Sequence, residues 1–220
     1  MKTTELHRED PYRAEFTATV VAVDGDLVEL DETAFYARSG GQAGDTGLLG
    51  GFPVTDTYYS PERDRVLHVV DWRGEGALAA GDTVDGTIDW DRRYRLMRLH
   101  TAQHLSWVAY ESVYGAGHED RGGEIRPEKA RLDVSWSDPD RKPAVDDLTP
   151  ALAELVARDL PIGRYRDEES GPRTWIWELD GHPPIPCGGT HVRRTGEVGG
   201  VKLGVQRKGS GVFRLSVQLV

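Results

Sequence analysis

Along the first ninety residues, apolar and polar positions alternate in short runs separated by turn residues. Phe16 to Val23 is rich in β-branched residues and stops at Asp24-Gly25-Asp26, a turn signal. Leu27-Val28-Glu29-Leu30 follows, so a hairpin is expected here. Pro53 to Tyr59, Arg65 to Val70 and Thr83 to Trp90 are further strand candidates, joined by Gly/Asp-rich turns. Many short strands at close spacing predict a small barrel or sandwich. The period changes near Asp91. From Arg92 to about Val113 it is helical, and at 100° per residue Met97, His100, Thr101, His104 and Val108 share about one third of the circumference. Gly115 to Gly123 reads as a loop and Ala130 to Trp136 as a strand. Thr149-Pro150 has the residues of a helix start, with Leu152, Leu155 and Val156 as an apolar stripe and Pro161 as the stop. Thr174 to Leu179 and Val212 to Leu219 read as strands. The fold class expected is α+β, with a boundary near residue 91.

Composition narrows the picture. The chain has 220 residues, 38% hydrophobic and 29% charged, with one cysteine, Cys187. That excludes an internal disulfide framework and leaves a lone thiol available to a metal or a reaction. No apolar run approaches the ~20 residues of a membrane span. The first ten residues lack the apolar core of a signal peptide. A cytoplasmic protein is therefore expected. The net charge is −10, with 22 Arg against 5 Lys. Bulk charge disfavours nucleic acid, yet basic residues gather locally: Arg92, Arg93, Arg95 and Arg98 in one run, and Arg193, Arg194, Lys202, Arg207, Lys208 and Arg214 in the last forty residues.

Two short motifs carry the candidate chemistry. His100-Thr101-Ala102-Gln103-His104 places two imidazoles four apart on a predicted helix, where both rings share a face. Cys187-Gly188-Gly189-Thr190-His191 places a thiol and an imidazole four apart where glycines let the backbone curl. Three nitrogens and one sulfur suit zinc in tetrahedral geometry. Gln103 stands where a zinc protease would carry its glutamate, which argues against peptide hydrolysis.

Three segments then resemble one family. They are Thr33 to Gly47 (TAFYARSGGQAGDTG), Ile88 to Arg93 leading into the His100–His104 motif, and Cys187 to Glu197 (CGGTHVRRTGE). In content, order and spacing these are similar to the AlaX proteins and the editing domain of alanyl-tRNA synthetase, over about Phe16 to Val217. The segment Phe35-Tyr36-Ala37-Arg38-Ser39-Gly40-Gly41-Gln42 is closer to the synthetase version than to that of the free-standing proteins. The resemblance implies an N-terminal small β-barrel with a Gly-rich loop, residues 1–91, followed by a zinc-binding α+β editing domain, residues 92–220. It implies a Zn²⁺ cofactor on His100, His104, Cys187 and His191. It further implies hydrolysis of mischarged tRNA(Ala), chiefly carrying serine and in some members glycine. A second site of this kind serves where binding alone discriminates too weakly. Thr101 would face the pocket and bond a seryl hydroxyl; Gln42 would add polar contacts from the Gly-rich loop. Arg131 and Asp133 match a family pattern as support residues. Arg92, Arg93, Arg193 and Arg194 are the residues expected to contact tRNA phosphates. A monomer is expected. Two readings stay open beside this one: a non-catalytic, zinc-stabilised RNA-binding module, and a zinc hydrolase of small esters unrelated to tRNA.

Overall fold

The computed structural model describes residues 2–62, 64–74, 76–138, 141–169, 171, 174–209 and 211–220. They divide into two compact units, one of residues 1–39 and 43–94, the other of residues 40–42 and 95–220.

The first unit is built on a closed barrel. In chain order its strands are β1 (Thr4–Glu5), β2 (Glu15–Asp24), β3 (Leu27–Leu30), β4 (Glu32–Thr33), β5 (Gly47–Leu49), β6 (Phe52–Tyr59), β7 (Val66–Val70) and β8 (Thr83–Ile88). Six of them close in the order β2-β3-β7-β6-β5-β8, while β1 and β4 form a separate parallel pair. Closure leaves no open sheet edge to pair with another chain. The alternation read in the sequence is the inside–outside pattern: burial along β8 runs exposed, buried, exposed, buried. Phe16, Val20, Val28, Leu30, Phe35, Leu49, Val54, Val84 and Ile88 fill the interior. Each large side chain buried in this way contributes about 1.5–3 kcal/mol. Asp24-Gly25-Asp26 forms the expected tight turn, with β2 and β3 paired Asp24 to Leu27.

His68 is the polar exception inside this core. Its ring is fully buried between the Val28 carbonyl, 3.0 Å from Nδ1, and Thr33 Oγ1, 2.9 Å from Nε2. Since a carbonyl can only accept, Nδ1 carries the proton and the Thr33 hydroxyl donates to Nε2. Burial drives the His68 pKa down to about 4.

The second unit holds most of helix α1 (Trp90–Tyr114), then β9 (Asp120–Arg126), β10 (Lys129–Ser135), helix α2 (Val145–Ala157), β11 (Ile162–Arg166), β12 (Trp175–Leu179), β13 (Ile185–Pro186), β14 (Val201–Gly209) and β15 (Val212–Leu219). One sheet runs β14-β15-β10-β9 and a second runs β11-β12-β13, all antiparallel. Arg131 and Asp133 share a face of β10, as period-two geometry requires; Asp133 accepts from Arg214 at 2.6 and 2.7 Å and lies 3.6 Å from Arg131.

Two sequence expectations are corrected here. Gly115 to Gly123 is not all loop, because β9 begins at Asp120 and pairs with β10. Helix α2 does not begin at Thr149-Pro150; it begins at Val145 and carries Pro150 inside. The missing N–H of Pro150 is outweighed by the stripe Leu148, Leu152 and Leu155, all buried.

Candidate metal centre and its cavity

Helix α1 supplies the first half of the site. His100, Thr101 and His104 are all buried on it, within a stretch from Leu96 to Ser106 that is buried almost all round apart from Arg98. The two rings lie 5.0 Å apart, centre to centre, as the i, i+4 spacing dictates. The second half comes from the loop after β13, where Cys187 and His191 reach the same point. One ligand atom from each of His100, His104, Cys187 and His191 lies within 4.8 Å of the others. Gly189 makes this approach possible: a Cβ there would run into the His100 ring.

The Nδ1 atoms of His100 and His191 are both held. His100 Nδ1 lies 2.8 Å from Gln42 Oε1, which also accepts from the Thr190 N–H at 3.1 Å. Gln42 Nε2 donates to Thr190 Oγ1 at 2.8 Å, which fixes the amide's orientation. The proton of His100 therefore sits on Nδ1, and the lone pair of Nε2 faces Cys187 Sγ at 3.5 Å. His191 repeats the arrangement: Nδ1 is 3.1 Å from Thr101 Oγ1 and Nε2 is 3.2 Å from Cys187 Sγ. Ligands of a tetrahedral ion with bonds of about 2.0 and 2.3 Å stand about 3.5 Å apart, so these spacings fit one shared cation. His104 Nδ1 is buried without a hydrogen-bond partner among the described residues, a cost that a bound cation or substrate would relieve.

Electrostatics point the same way. Burial holds His100 and His191 well below the usual histidine range, with neighbouring imidazoles and Arg164 adding to it, and burial brings His104 to about 4. All three are thus neutral, the form that ligates metals. Burial pushes the Cys187 thiol up, opposed by the Gly189 backbone and the Arg164 charge. The Arg164 guanidinium lies over the Trp175 ring, 5.2 Å from its centre.

A cavity of about 390 Å³ opens against this cluster, lined by Gln103, His104, Trp107, Asp120, Leu132, Ile185 and Pro186. Among the described residues that line it, Asp120 is the charged one. Its Oδ1 accepts from the Gly122 N–H at 2.6 Å, which steadies the carboxylate. Asp120 escaped the sequence reading because its segment looked like loop; a strand start among glycines leaves little periodic signal.

The remaining candidates are placed as follows. Thr101 is fully buried, and its hydroxyl is engaged by His191 and by the Val192 N–H at 3.3 Å. Through the first of these contacts it orients a candidate metal ligand. Gln42 belongs by contact to the second unit, where it likewise orients His100. The Gly-rich loop is pinned there by Ile125 N–H donating to Gly41 O at 2.8 Å, and Gly41 takes φ +83°, which glycine adopts without strain. Arg93 cannot contact phosphate as expected. It is fully buried, and its guanidinium is used by Asp45, Pro11 O and Ala34 O, the Nε bond to Asp45 measuring 2.8 Å. Arg92 is half-buried and donates to Gly44 O at 2.7 Å. Arg193 and Arg194 are exposed, and Arg194 pairs with Asp159 at 2.7 Å.

The family described as tRNA synthetases class II (A) matches residues 6–92, and the family described as threonyl and alanyl tRNA synthetase second additional domain matches residues 179–216. The chain is similar to the alanyl-tRNA editing protein AlaX-M of Saccharolobus solfataricus, at 36% identity over 97% of each chain. Its similarity to the AlaX-M protein of Methanosarcina barkeri is 35% over 99% of each. It is also 34% identical, over 94% of its length, to alanine–tRNA ligase of Ignicoccus hospitalis, of which it spans 24%. Against the ligases it thus covers about a quarter of the whole protein.

Proposed function

The chain belongs to the AlaX-M family of alanyl-tRNA editing proteins, and from that premise we propose that it deacylates mischarged tRNA(Ala) in trans, chiefly Ser-tRNA(Ala) and also Gly-tRNA(Ala). The observation that carries the proposal is the convergence of His100, His104, Cys187 and His191 beside a cavity with one carboxylate. The three nitrogens and one sulfur fit zinc. When bound, the cation supplies positive charge that polarises and positions the aminoacyl ester.

The chain's own residues do the rest. Gln42 and Thr101 keep the His100 and His191 rings turned so that their Nε2 atoms face the cluster. The steadied Asp120 carboxylate accepts hydrogen bonds from the substrate α-ammonium, drawing the amino acid into the cavity with its ester near His104. Leu132, Ile185 and Pro186 limit the room for loose water around the ester. Water adds across the acyl C–O bond, releasing the free amino acid and restoring the terminal ribose hydroxyl of the tRNA. Exposed Arg193 and Arg194 are retained as phosphate contacts; Arg93 is withdrawn.

The complete four-ligand set also favours a second reading, since closed shells are the structural zinc pattern. A non-catalytic RNA-binding module would use it so. One assay separates the two. Labelled serine, glycine and alanine are each followed as they leave tRNA(Ala), with and without a zinc chelator. Rapid serine release, slow alanine release and loss of both on chelation are expected. No release above the uncatalysed rate from folded, metal-loaded protein would leave the binding module as the better account.

A further inference from the structure

The cavity is larger than its assigned cargo. A seryl or glycyl group has only a handful of heavy atoms, while cavities of about 390 Å³ suit ligands several times that size. Its walls are also of two kinds. Gln103, His104 and Asp120 are polar; Leu132 and Ile185 are apolar; and Trp107 presents an indole. Among the described residues that line it there is no lysine or arginine to pair with an anion.

Trp107 stands one helical turn beyond the candidate ligand His104, about 4.5 Å further along the axis. Its ring is half-buried and stacks on Tyr110, with centres 6.1 Å apart and planes 18° apart. Tyr110 is itself fully buried, and its hydroxyl donates to Ser135 O at 3.3 Å. The indole is therefore backed by a fixed ring while it lines the cavity. In an aminoacylated tRNA one ribose separates the ester from the terminal base, a separation that a single helical turn can span.

We propose that Trp107 is the stacking platform for the terminal adenine of the tRNA 3′ end, within the cavity that receives the aminoacyl group. The inference rests on the editing reading above and extends it to the base. Bases stack on aromatic side chains without needing a specific hydrogen-bond code, which suits a wall whose aromatic surface is the Trp107 indole.

The test compares two small substrates on zinc-loaded protein: 3′-O-seryl-adenosine, and the seryl ester of 1-deoxyribose, which lacks the base. The wild-type chain should prefer the first in kcat/KM. In Trp107→Ala that preference should fall roughly 5- to 150-fold. Trp107→Phe should restore most of it, with melting temperature and zinc content confirming that each variant is folded and loaded. A preference unchanged in Trp107→Ala, with hydrolysis intact, overturns the platform and spares the editing reading. If the wild type hydrolyses neither ester, the tRNA(Ala) release assay above still decides the editing reading, and calorimetry with amide-linked 3′-seryl-amino-3′-deoxyadenosine decides the platform. A weaker Kd in Trp107→Ala by a similar factor upholds it, and equal Kd values reject it.

Discussion

Gln42 and Thr101 act on the candidate centre through other residues. Each fixes one imidazole by its outer nitrogen, from partners 58 and 90 positions apart in the chain. Such contacts set ring orientation and ligand basicity, and their loss typically weakens metal affinity 10–100-fold. Gln42→Ala and Thr101→Val should each weaken zinc binding by roughly that factor, read by competition with a chromophoric chelator. Affinities equal to wild type would remove both residues from the centre. The sequence disclosed the four donors because their spacings within each motif are local and chemical. It did not disclose what Gln42 and Thr101 do, because both choose partners across the fold. The sequence pointed Thr101 at a seryl hydroxyl; its contacts with His191 and the Val192 N–H are an additional role that lies across the fold.

At the scale of elements, helix α1 begins inside the barrel unit, where the buried Arg93–Asp45 pair secures its first turn. Arg93 reaches three different backbone or side-chain partners at once, and both Arg93 and Asp45 are fully buried. Removing one member of a buried ion pair strands the other and costs about 3–5 kcal/mol. Arg93→Met should lower the urea midpoint accordingly, and a change below about 1 kcal/mol would show that Asp45 finds another partner. Strand and helix identity was legible wherever the period was strong, as in β2, β8, α1 and β15. It failed where tertiary packing overrode local signals. Pro150 looked like a first-turn residue, but the buried Leu148 draws helix α2 four residues further back. The strands β5, β9 and β14 rest on their partners rather than on propensity; glycine occurs in all three.

Across the whole molecule, buried neutral histidines set the response to acid. His68 has its pKa lowered to about 4, whereas an unfolded chain would protonate it near 6.5. The unfolded state therefore binds the proton first as pH falls. The stabilising contribution is complete above pH 6.5 and is lost progressively down to about pH 4, to a total of about 3 kcal/mol. Urea unfolding of His68→Gln between pH 7.5 and 4 should show a shallower loss than wild type, starting from a lower value at neutral pH. Parallel curves would acquit His68. The net charge of −10 was plain from composition, but composition alone could not separate exposed arginines from buried ones, and Arg93 shows the difference.

His100 and Cys187 come together across 87 positions of chain. On the ribosome, at about 5–20 residues per second, the first two imidazoles would wait roughly 4–17 s for the thiol to be synthesised. A nascent chain in that interval carries half a chelate, able to hold a cation only loosely and to exchange it with its surroundings. A four-donor site belongs to the nearly finished polypeptide, so a chain broken off before the Cys187–His191 loop would keep only the half of the candidate centre that helix α1 supplies.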